Sequence, residues 1–588
     1  MLKLLRRMRR RELITAALCA LLVLGQIYFD LALPDYMTDL TTLIKTPGSL
    51  PADIAAVGGR MLLCALASAV LAITAGFLAA RTAAGFSFSI REELFRHVMT
   101  LGSAEMQEFS VPSLITRTTN DITQIQMVIA MGLQMVIKAP MMAVWAVAKI
   151  LGKSWELSAV TAAVVVVLCV TILCVLRVCL PRFRIVQKLT DQINRVAREN
   201  LTGINVVHAF NAEDYQNEKF DGYSRDMMNT QMKNQKLFSL IQPVLGLGMN
   251  GLSLAVYWVG AALVQRTADA AGRLAMFTNV VVFSTYAMYV VMSFMMLVMI
   301  FMLAPAAQVS AERIGRVLEA QPAVTPGQAQ DAPETGTVEF RDVSFRYPGA
   351  QDDALSHISF RVGKGQTLAI IGATGSGKST LIGLIPRFYD VTGGQVLVDG
   401  RDVREFTFDA LYDRLGYVTQ RATLFSGTVQ SNVFFGSGCA PETDEALQKA
   451  LDLSQAAEFV NSYPEGAQHR IAQLGRNVSG GQKQRLAIAR ALARGAEILV
   501  FDDSFSALDY RTDAKLRAGL AAQMAGVTKV IVAQRISTIR HADEILVLER
   551  GEIVGRGTHE ELLRSCEVYR EIASSQLSQQ EGGAAHEA

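Results

Sequence analysis

A glycine-rich segment between residues 372 and 380 has the composition of a loop that binds phosphate. It consists of Gly372, Ala373, Thr374, Gly375, Ser376, Gly377, Lys378, Ser379 and Thr380. Apolar runs precede and follow it, which predicts a buried strand, a tight turn and then a helix. Glycines let successive backbone N–H groups converge on a phosphate, and the helix N-terminus adds a favourable dipole. We expect Lys378 to reach the β- and γ-phosphates of a nucleotide and Ser379 to ligate Mg²⁺.

A second apolar run, residues 498–501, ends in the two acids Asp502 and Asp503. A carboxylate at the end of a parallel strand beside a phosphate loop is well placed to position Mg²⁺. Asp502 is therefore the predicted metal-associated residue. The next acid, Asp503, stands where a general base for the attacking water would lie.

The elements that carry these residues make up less than half of a chain that is otherwise strongly apolar. Of its 588 residues, 51% are hydrophobic and 19% are charged, which is too apolar for a purely soluble protein. Six segments before residue 305 are long enough for helices that cross about 30 Å of hydrocarbon. They lie at approximately residues 12–32, 56–80, 127–151, 155–180, 240–264 and 275–304. The net charge of +2 gives no indication of nucleic-acid binding.

The links between the predicted spans alternate in length. Those after the second and fourth spans are long and carry charges at helical spacing, so the helices are expected to continue into the cytoplasm. Their turning points, near residues 108–112 and 208–213, could dock on a soluble domain or be ordinary hairpin turns. Six basic residues between Lys3 and Arg11 place the N-terminus on the cytoplasmic side.

Lys138 lies deep within the third predicted span. A charge inside a membrane indicates a functional site by default, and contact with a transported substrate is one interpretation. A lysine can also extend its ammonium group to the membrane surface, and both interpretations remain open at this stage.

The composition divides the chain into four parts. Residues 1–305 form the predicted transmembrane domain, residues 306–337 a linker, residues 338–578 a soluble cassette and residues 579–588 a tail. The linker is rich in Pro, Gln, Ala and Gly, which favours an extended connection.

A further motif lies between the two predicted strands of the cassette. It consists of Ser479, Gly480, Gly481 and Gln482, and a basic helix follows it. With this motif, the chain resembles an ATP-binding-cassette (ABC) exporter of the half-transporter type over nearly its whole length. The resemblance implies a multidomain membrane protein, in which a six-helix, all-α transmembrane domain precedes an α/β P-loop NTPase cassette.

The resemblance assigns further positions one at a time. Tyr347 matches the aromatic residue that stacks on adenine, and Gln420 matches the glutamine that contacts Mg²⁺ and faces the membrane domain. Asp509 belongs to the loop that crosses between two cassettes. The two turning points match coupling helices. In such proteins the signature serine and glycines bind the γ-phosphate held by a second cassette, so the resemblance implies a dimer.

Two positions depart from the family pattern, and both concern catalysis. The family has glutamate where this chain has Asp503, and histidine where it has Gln534. The shorter carboxylate is expected to align poorly with water, and losing a general base typically costs ~10²- to 10⁴-fold in rate. The pattern resembles the degenerate subunit of heterodimeric bacterial multidrug-type exporters.

The expected function is ATP-driven export of an amphipathic drug, lipid or peptide across the cytoplasmic membrane. ATP and Mg²⁺ are the expected cofactors. The expected partners are a second half-transporter with intact catalytic Glu and His, the substrate and membrane lipid, with no nucleic acid. Two alternatives stay open: a homodimeric lipid or drug exporter with slow turnover, and an ATP-binding membrane sensor.

Overall fold

The computed structural model describes residues 2–45, 50–151, 154–267, 269–436 and 442–584. The chain divides into two compact units. The first consists of Met1–Val98 and Pro112–Glu319, and the second of Met99–Val111 and Ala320–Ala588.

The described part of the N-terminal half consists of helices joined by short turns. Its helices are α1 (Leu2–Leu5), α2 (Arg10–Lys45), α3 (Pro51–Val98), α4 (Ser103–Phe109), α5 (Val111–Thr116), α6 (Ile122–Leu151), α7 (Trp155–Thr202), α8 (Ile204–Ala209), α9 (Glu213–Ser239), α10 (Ile241–Arg266) and α11 (Ala270–Glu319). In hydrocarbon every backbone polar group needs a partner within the chain, and a continuous helix supplies it.

Within the described residues, six helical segments are long and apolar enough to cross a membrane, as the sequence predicts. They are Arg10–Ile44, Pro51–Val98, Val111–Leu151, Trp155–Cys179, Glu213–Arg266 and Gly272–Glu319. Several extend well beyond the predicted spans. Helix α3 has 48 residues, or about 72 Å, more than twice the length that the hydrocarbon requires.

Helix α2 buries one face against its neighbours in the first unit. Its buried residues Cys19, Val23, Ile27 and Leu31 recur every four positions, which places them on the same side of the helix. They share a core with apolar side chains of α3, α6, α7, α10 and α11. Helices α2 and α6 also contain internal prolines, Pro34 and Pro140.

Two ion pairs join α2 to α6. The Lys138 ammonium lies 3.2 Å from the Asp30 carboxylate, and the Lys149 ammonium lies 2.6 Å from the Asp35 carboxylate. Lys138 therefore has a partner on the neighbouring helix. Asp30 lies 108 positions away along the chain, so the local sequence around Lys138 does not indicate this partner.

The second unit contains the strands and the remaining helices. The strands are β1 (Val338–Phe345), β2 (Leu355–Val362), β3 (Thr367–Gly372), β4 (Gly393–Val398), β5 (Arg401–Asp402), β6 (Leu415–Val418), β7 (Gly427–Thr428), β8 (Arg470–Ile471), β9 (Ile498–Asp502), β10 (Thr528–Val532), β11 (Glu544–Glu549) and β12 (Glu552–Gly557). The helices are α12 (Lys378–Leu384), α13 (Phe408–Asp413), α14 (Val429–Val433), α15 (Asp444–Leu453), α16 (Ala457–Asn461), α17 (Gly480–Ala493), α18 (Tyr510–Gln523), α19 (Ile536–Ile539), α20 (His559–Ser565) and α21 (Glu567–Ala584).

A six-stranded sheet in the order β12-β11-β3-β10-β9-β6 forms the centre of this unit. Its strands pair in parallel except for β11 with β12. Strand β9 is buried on both faces: Ile498 and Val500 belong to one apolar cluster, and Leu499 and Phe501 to the other. This alternation follows from the two-residue period of a strand. An antiparallel sheet, β2-β1-β4-β5, closes the first cluster.

Two predicted boundaries fall inside helices. Helix α11 continues through position 305 to Glu319. Helix α21 includes residues 579–584 of the predicted tail, and residues 585–588 lie outside the described part of the chain.

Candidate functional site

The glycine-rich segment forms a turn between β3 and α12. Gly377, the residue before α12, has φ 99°, a left-handed conformation that favours glycine. A Cβ atom there would meet the Ala354 carbonyl oxygen at 2.9 Å and a Leu355 methyl at 2.8 Å. Both the backbone conformation and the close packing therefore require glycine at this point of the loop.

Lys378 closes the loop through its ammonium group. Its Nζ donates to the carbonyl oxygens of Gly372 and Ala373 at 2.8 and 2.6 Å, and to the Ser376 hydroxyl at 3.3 Å. Burial lowers the pKa of Lys378, an effect that the negative charges of Asp503 and Asp502 oppose. The loop thus holds a cation over a turn of backbone amides, which suits a polyphosphate.

Ser379 and Asp502 bring oxygen ligands together beside this loop. The Ser379 hydroxyl donates to the Asp502 carboxylate at 3.0 Å. Burial raises the pKa of Asp502, and the hydrogen bond from Ser379 opposes that rise. A hydroxyl and a carboxylate are the kind of hard oxygen donors that Mg²⁺ prefers, so this pair fits the predicted metal site.

Asp503 and Gln534 are hydrogen-bonded to each other. The Gln534 amide Nε2 donates to a carboxylate oxygen of Asp503 at 2.8 Å. The two residues follow the neighbouring parallel strands β9 and β10, whose register pairs Asp502 with Val532. Asp503 is 7% exposed and has φ 45°, so its backbone leaves the strand direction here. The sequence singled out both positions but gave no sign that they contact each other.

Most of the residues predicted for the nucleotide site line one cavity of about 460 Å³. Lys378, Ser379, Asp502, Asp503 and Gln534 all border it. The other predicted residues that line it are Tyr347, Thr374, Gly375, Gly377, Thr380 and Gln420.

Tyr347 lines the same cavity and packs against two other aromatic rings. Its hydroxyl lies 2.9 Å from that of Thr380, and its ring meets those of Phe345 and Tyr389 edge to face. Asp353 and Arg550 also line the cavity and were not predicted from the sequence. Arg550 lies in the turn after β11. A basic residue beside Gly551 was the feature of the sequence that could have indicated a phosphate contact here.

The signature residues lie elsewhere in the cassette. Ser479 caps α17: its hydroxyl accepts from the Gln482 N–H at 3.3 Å, and the Gln482 side chain accepts from the Ser479 N–H at 2.8 Å. Gly480, which is exposed, and Gly481, which is partly buried, begin the first turn of α17. None of these four is among the described residues that line the cavity.

Asp509 caps α18, the helix that follows the acid pair Asp502 and Asp503. Its carboxylate accepts from the Thr512 N–H at 2.9 Å, which begins α18. This hydrogen bond lowers the pKa of Asp509. Asp509 is likewise not among the described residues that line the cavity.

Helix α4, at the first predicted turning point, belongs to the same compact unit as the cassette. The Gln107 amide donates to the Tyr389 hydroxyl at 3.2 Å, and the Glu105 carboxylate accepts from the Ala323 N–H at 3.1 Å. Glu105 also caps its own helix by accepting from the Gly102 N–H at 2.8 Å. These contacts are what a coupling helix needs, and that role remains a prediction.

Taken together, six membrane-crossing helices and a P-loop cassette define a nucleotide-binding membrane transporter. Two family profiles match the chain: the ABC transporter transmembrane region over residues 13–294 and the ABC transporter profile over residues 355–506. The chain belongs to the ABC transporter family and is an exporter of the half-transporter type. Its cassette is an ABC ATPase domain, which implies ATP binding, and ABC exporters act as dimers in the cell membrane.

Relatives resemble the chain over most of its length. An uncharacterized ABC transporter ATP-binding protein of Mycobacterium tuberculosis is 39% identical over 96% of this chain and 97% of its own length. An ATP-dependent lipid A-core flippase of Aromatoleum aromaticum is 32% identical over 86% of this chain and 82% of its own.

A solved structure shows the same fold. It is a bacterial Atm1-family ABC exporter with ATP bound, with a TM-score of 0.75 and 24% identity. The similarity covers 96% of this chain and 98% of that one.

Proposed function

We propose that this chain is one half of a heterodimeric exporter that moves an amphipathic drug, lipid or peptide across the cytoplasmic membrane. In this proposal its own catalytic half-site hydrolyses ATP weakly. The observation that carries the proposal is the 2.8 Å hydrogen bond between Gln534 and Asp503.

This hydrogen bond argues against efficient base catalysis for two reasons. One oxygen of the Asp503 carboxylate already has the Gln534 amide as its partner, so it is not directed at an attacking water. The Gln534 amide also donates one of its N–H groups to Asp503, and glutamine has no titratable imidazole. Asp503 is in addition one methylene shorter than the glutamate found in the family, which draws its oxygens back from the reacting water.

Nucleotide binding by the same cassette is supported separately. Lys378 is placed to hold the phosphates, and Tyr347 offers a ring for adenine. Ser379, Asp502 and Gln420 would hold Mg²⁺, which when bound neutralises phosphate charge during hydrolysis. We therefore propose that this half-site retains ATP longer than it hydrolyses it.

The position of the signature motif supports a dimeric, composite site. The four signature residues are not among the described residues that border this cavity. We therefore propose that they bind a phosphate held by the P-loop of the partner. They are Ser479, Gly480, Gly481 and Gln482. The first N–H groups of a helix have no acceptor within that helix, so those of Gly480 and Gly481 at the start of α17 suit that contact. ATP binding would then bring the cassettes together, and coupling helices would transmit that closure to the spans.

The proposed orientation places the N-terminus and the cassette in the cytoplasm. Six Lys and Arg residues lie between Lys3 and Arg11, before or at the start of the first span, and basic residues near the ends of spans are retained on the cytoplasmic side.

The test is steady-state ATP turnover of the purified chain in lipid, without a partner. The native chain is expected to be nearly inert, because both composite sites of a homodimer would contain Asp503 and Gln534. The double substitution Asp503→Glu with Gln534→His is expected to raise turnover by ~10²-fold or more, the usual contribution of a general base. Asp353→Glu, a conservative change at the edge of the same cavity, is the matched control and should leave turnover low.

Brisk turnover by the native chain alone would contradict the heterodimer proposal. It would favour the second candidate, a homodimeric lipid exporter, which the 32% identity to a lipid A-core flippase supports. ATP-driven efflux from inverted vesicles distinguishes either exporter from an ATP-binding sensor, which would show none.

A further inference from the structure

A polar network lies within the otherwise apolar spans of the first unit. The Asp30 carboxylate on α2 accepts from the Lys138 ammonium on α6 at 3.2 Å. It also accepts from the hydroxyl of Ser68 on α3 and, at 3.5 Å, from the Gln26 amide. Three helices therefore converge on a single carboxylate.

A second ion pair lies further along the same two helices. The Asp35 carboxylate accepts from the Lys149 ammonium at 2.6 Å and from the Tyr286 hydroxyl at 2.7 Å. Tyr286 belongs to α11 and is fully buried. The two pairs hold two positive and two negative charges, so the network as a whole is neutral.

Charges in a membrane span are costly, and they face the interior of the bundle or a water-filled cavity. The pair of Asp30 and Lys138 is not sealed, since their side chains are 19% and 20% exposed. Both side chains therefore have surface that a bound molecule can contact.

The hydrogen-bonding capacity of the pair is unequal. Asp30 accepts from three side chains with its two oxygens. Lys138 has three N–H donors, and Asp30 is its single hydrogen-bond acceptor among the described residues. The ammonium consequently retains donors for an acceptor oxygen supplied from outside the chain.

Charge balance narrows the class of molecule that fits. An anion alone would approach Lys138 against the negative charge of Asp30, and a cation alone would face the positive charge of Lys138. A head group with both an anion and a cation can pair with each residue in turn and leaves no buried charge unpaired. Its apolar chain would meet the surrounding spans.

We propose that Asp30 and Lys138 form a binding site for the zwitterionic head group of the exported amphipathic molecule. This inference rests on the proposed export function and specifies the chemical class of its substrate.

The test uses three probes with the same sixteen-carbon chain and the full-length protein in an uncharged detergent. The probes are a lysophosphatidylcholine (zwitterion), a lysophosphatidylglycerol (anion) and an alkyltrimethylammonium (cation). Native mass spectrometry counts the bound molecules during titration without nucleotide. The native chain is expected to bind the zwitterion at least tenfold more tightly than either singly charged probe. Equal affinity for one of those probes would overturn the proposal, and this comparison requires no variant.

The double variant Asp30→Asn with Lys138→Met removes both charges together, so neither charge is left buried without a partner. Zwitterion affinity is expected to fall at least tenfold, while Arg177→Met, which removes a positive charge from α7, should retain it. Unchanged zwitterion binding by the double variant would also overturn the proposal. Because the measurement needs neither partner nor ATP turnover, its failure leaves export itself intact. Failure of vesicle efflux would instead count against the exporter.

Discussion

Lys378 gives the most direct test of nucleotide binding at the scale of single residues. We expect Lys378→Ala to weaken ATP affinity at least tenfold, about 1.4 kcal/mol, because the loop then loses its cation for the phosphates. Titration of the full chain with a fluorescent ATP analogue measures this change. Lys364→Ala, at an exposed lysine of the same cassette, is the control and should bind as the native chain does. Equal affinity of both variants would remove Lys378 from the site.

The strand, turn and helix around Gly377, Lys378 and Ser379 could be predicted from the sequence, because these elements are contiguous in the chain. The nucleotide-binding roles of these residues stay predictions. The bond between Asp503 and Gln534 joins residues 31 positions apart and depends on the register of two strands. Pairing of that kind is fixed by the packing of the whole sheet and is not visible in local sequence.

Helix α4 provides a test at the scale of elements. Glu105 both caps this helix and accepts a hydrogen bond from the chain at Ala323. We expect Glu105→Ala to lower the free energy of unfolding by about 1 kcal/mol, the usual effect of losing a helix cap. ATP-driven efflux should fall while ATP affinity stays unchanged, because the nucleotide cavity does not include this helix.

Glu108→Ala is the matched control for that experiment, since Glu108 is an exposed acid on the same helix. Efflux that is equally sensitive to both changes, or insensitive to both, would mean that the position of Glu105 has no special role in coupling.

Element types followed from the sequence, and element ends did not. Long apolar windows predicted six spans because hydrocarbon selects for apolar side chains. The second span was predicted at residues 56–80, yet α3 extends over Pro51–Val98. Hydropathy reports where a helix contacts lipid, whereas helix length depends on backbone hydrogen bonds that continue through polar sequence.

The proposed heterodimer makes an asymmetric prediction at the scale of the whole molecule. In the assembled pair, Asp503→Asn is expected to change total ATP turnover less than twofold, because this half-site contributes little. Ser479→Arg should reduce turnover by ~10²-fold or more, since it blocks the signature that completes the partner's competent site. Turnover of each co-purified pair in lipid measures both effects.

Tyr510→Ala, at an exposed residue next to the cap of α18, controls for general surface damage and should leave turnover unchanged. A large loss with Asp503→Asn would show that this chain performs most of the hydrolysis. The roles assigned to the two half-sites would then have to be exchanged.

The internal prolines give the two membrane ion pairs a further property. Pro34 lies between Asp30 and Asp35 on α2, and Pro140 lies between Lys138 and Lys149 on α6. Each proline lacks the N–H that would donate to the carbonyl four residues earlier, which is that of Asp30 in α2 and of Val136 in α6. The weakened turn of α2 therefore includes Asp30, and that of α6 includes Lys138. Bending of either helix at its proline would alter the geometry of this ion pair more than that of Asp35 with Lys149.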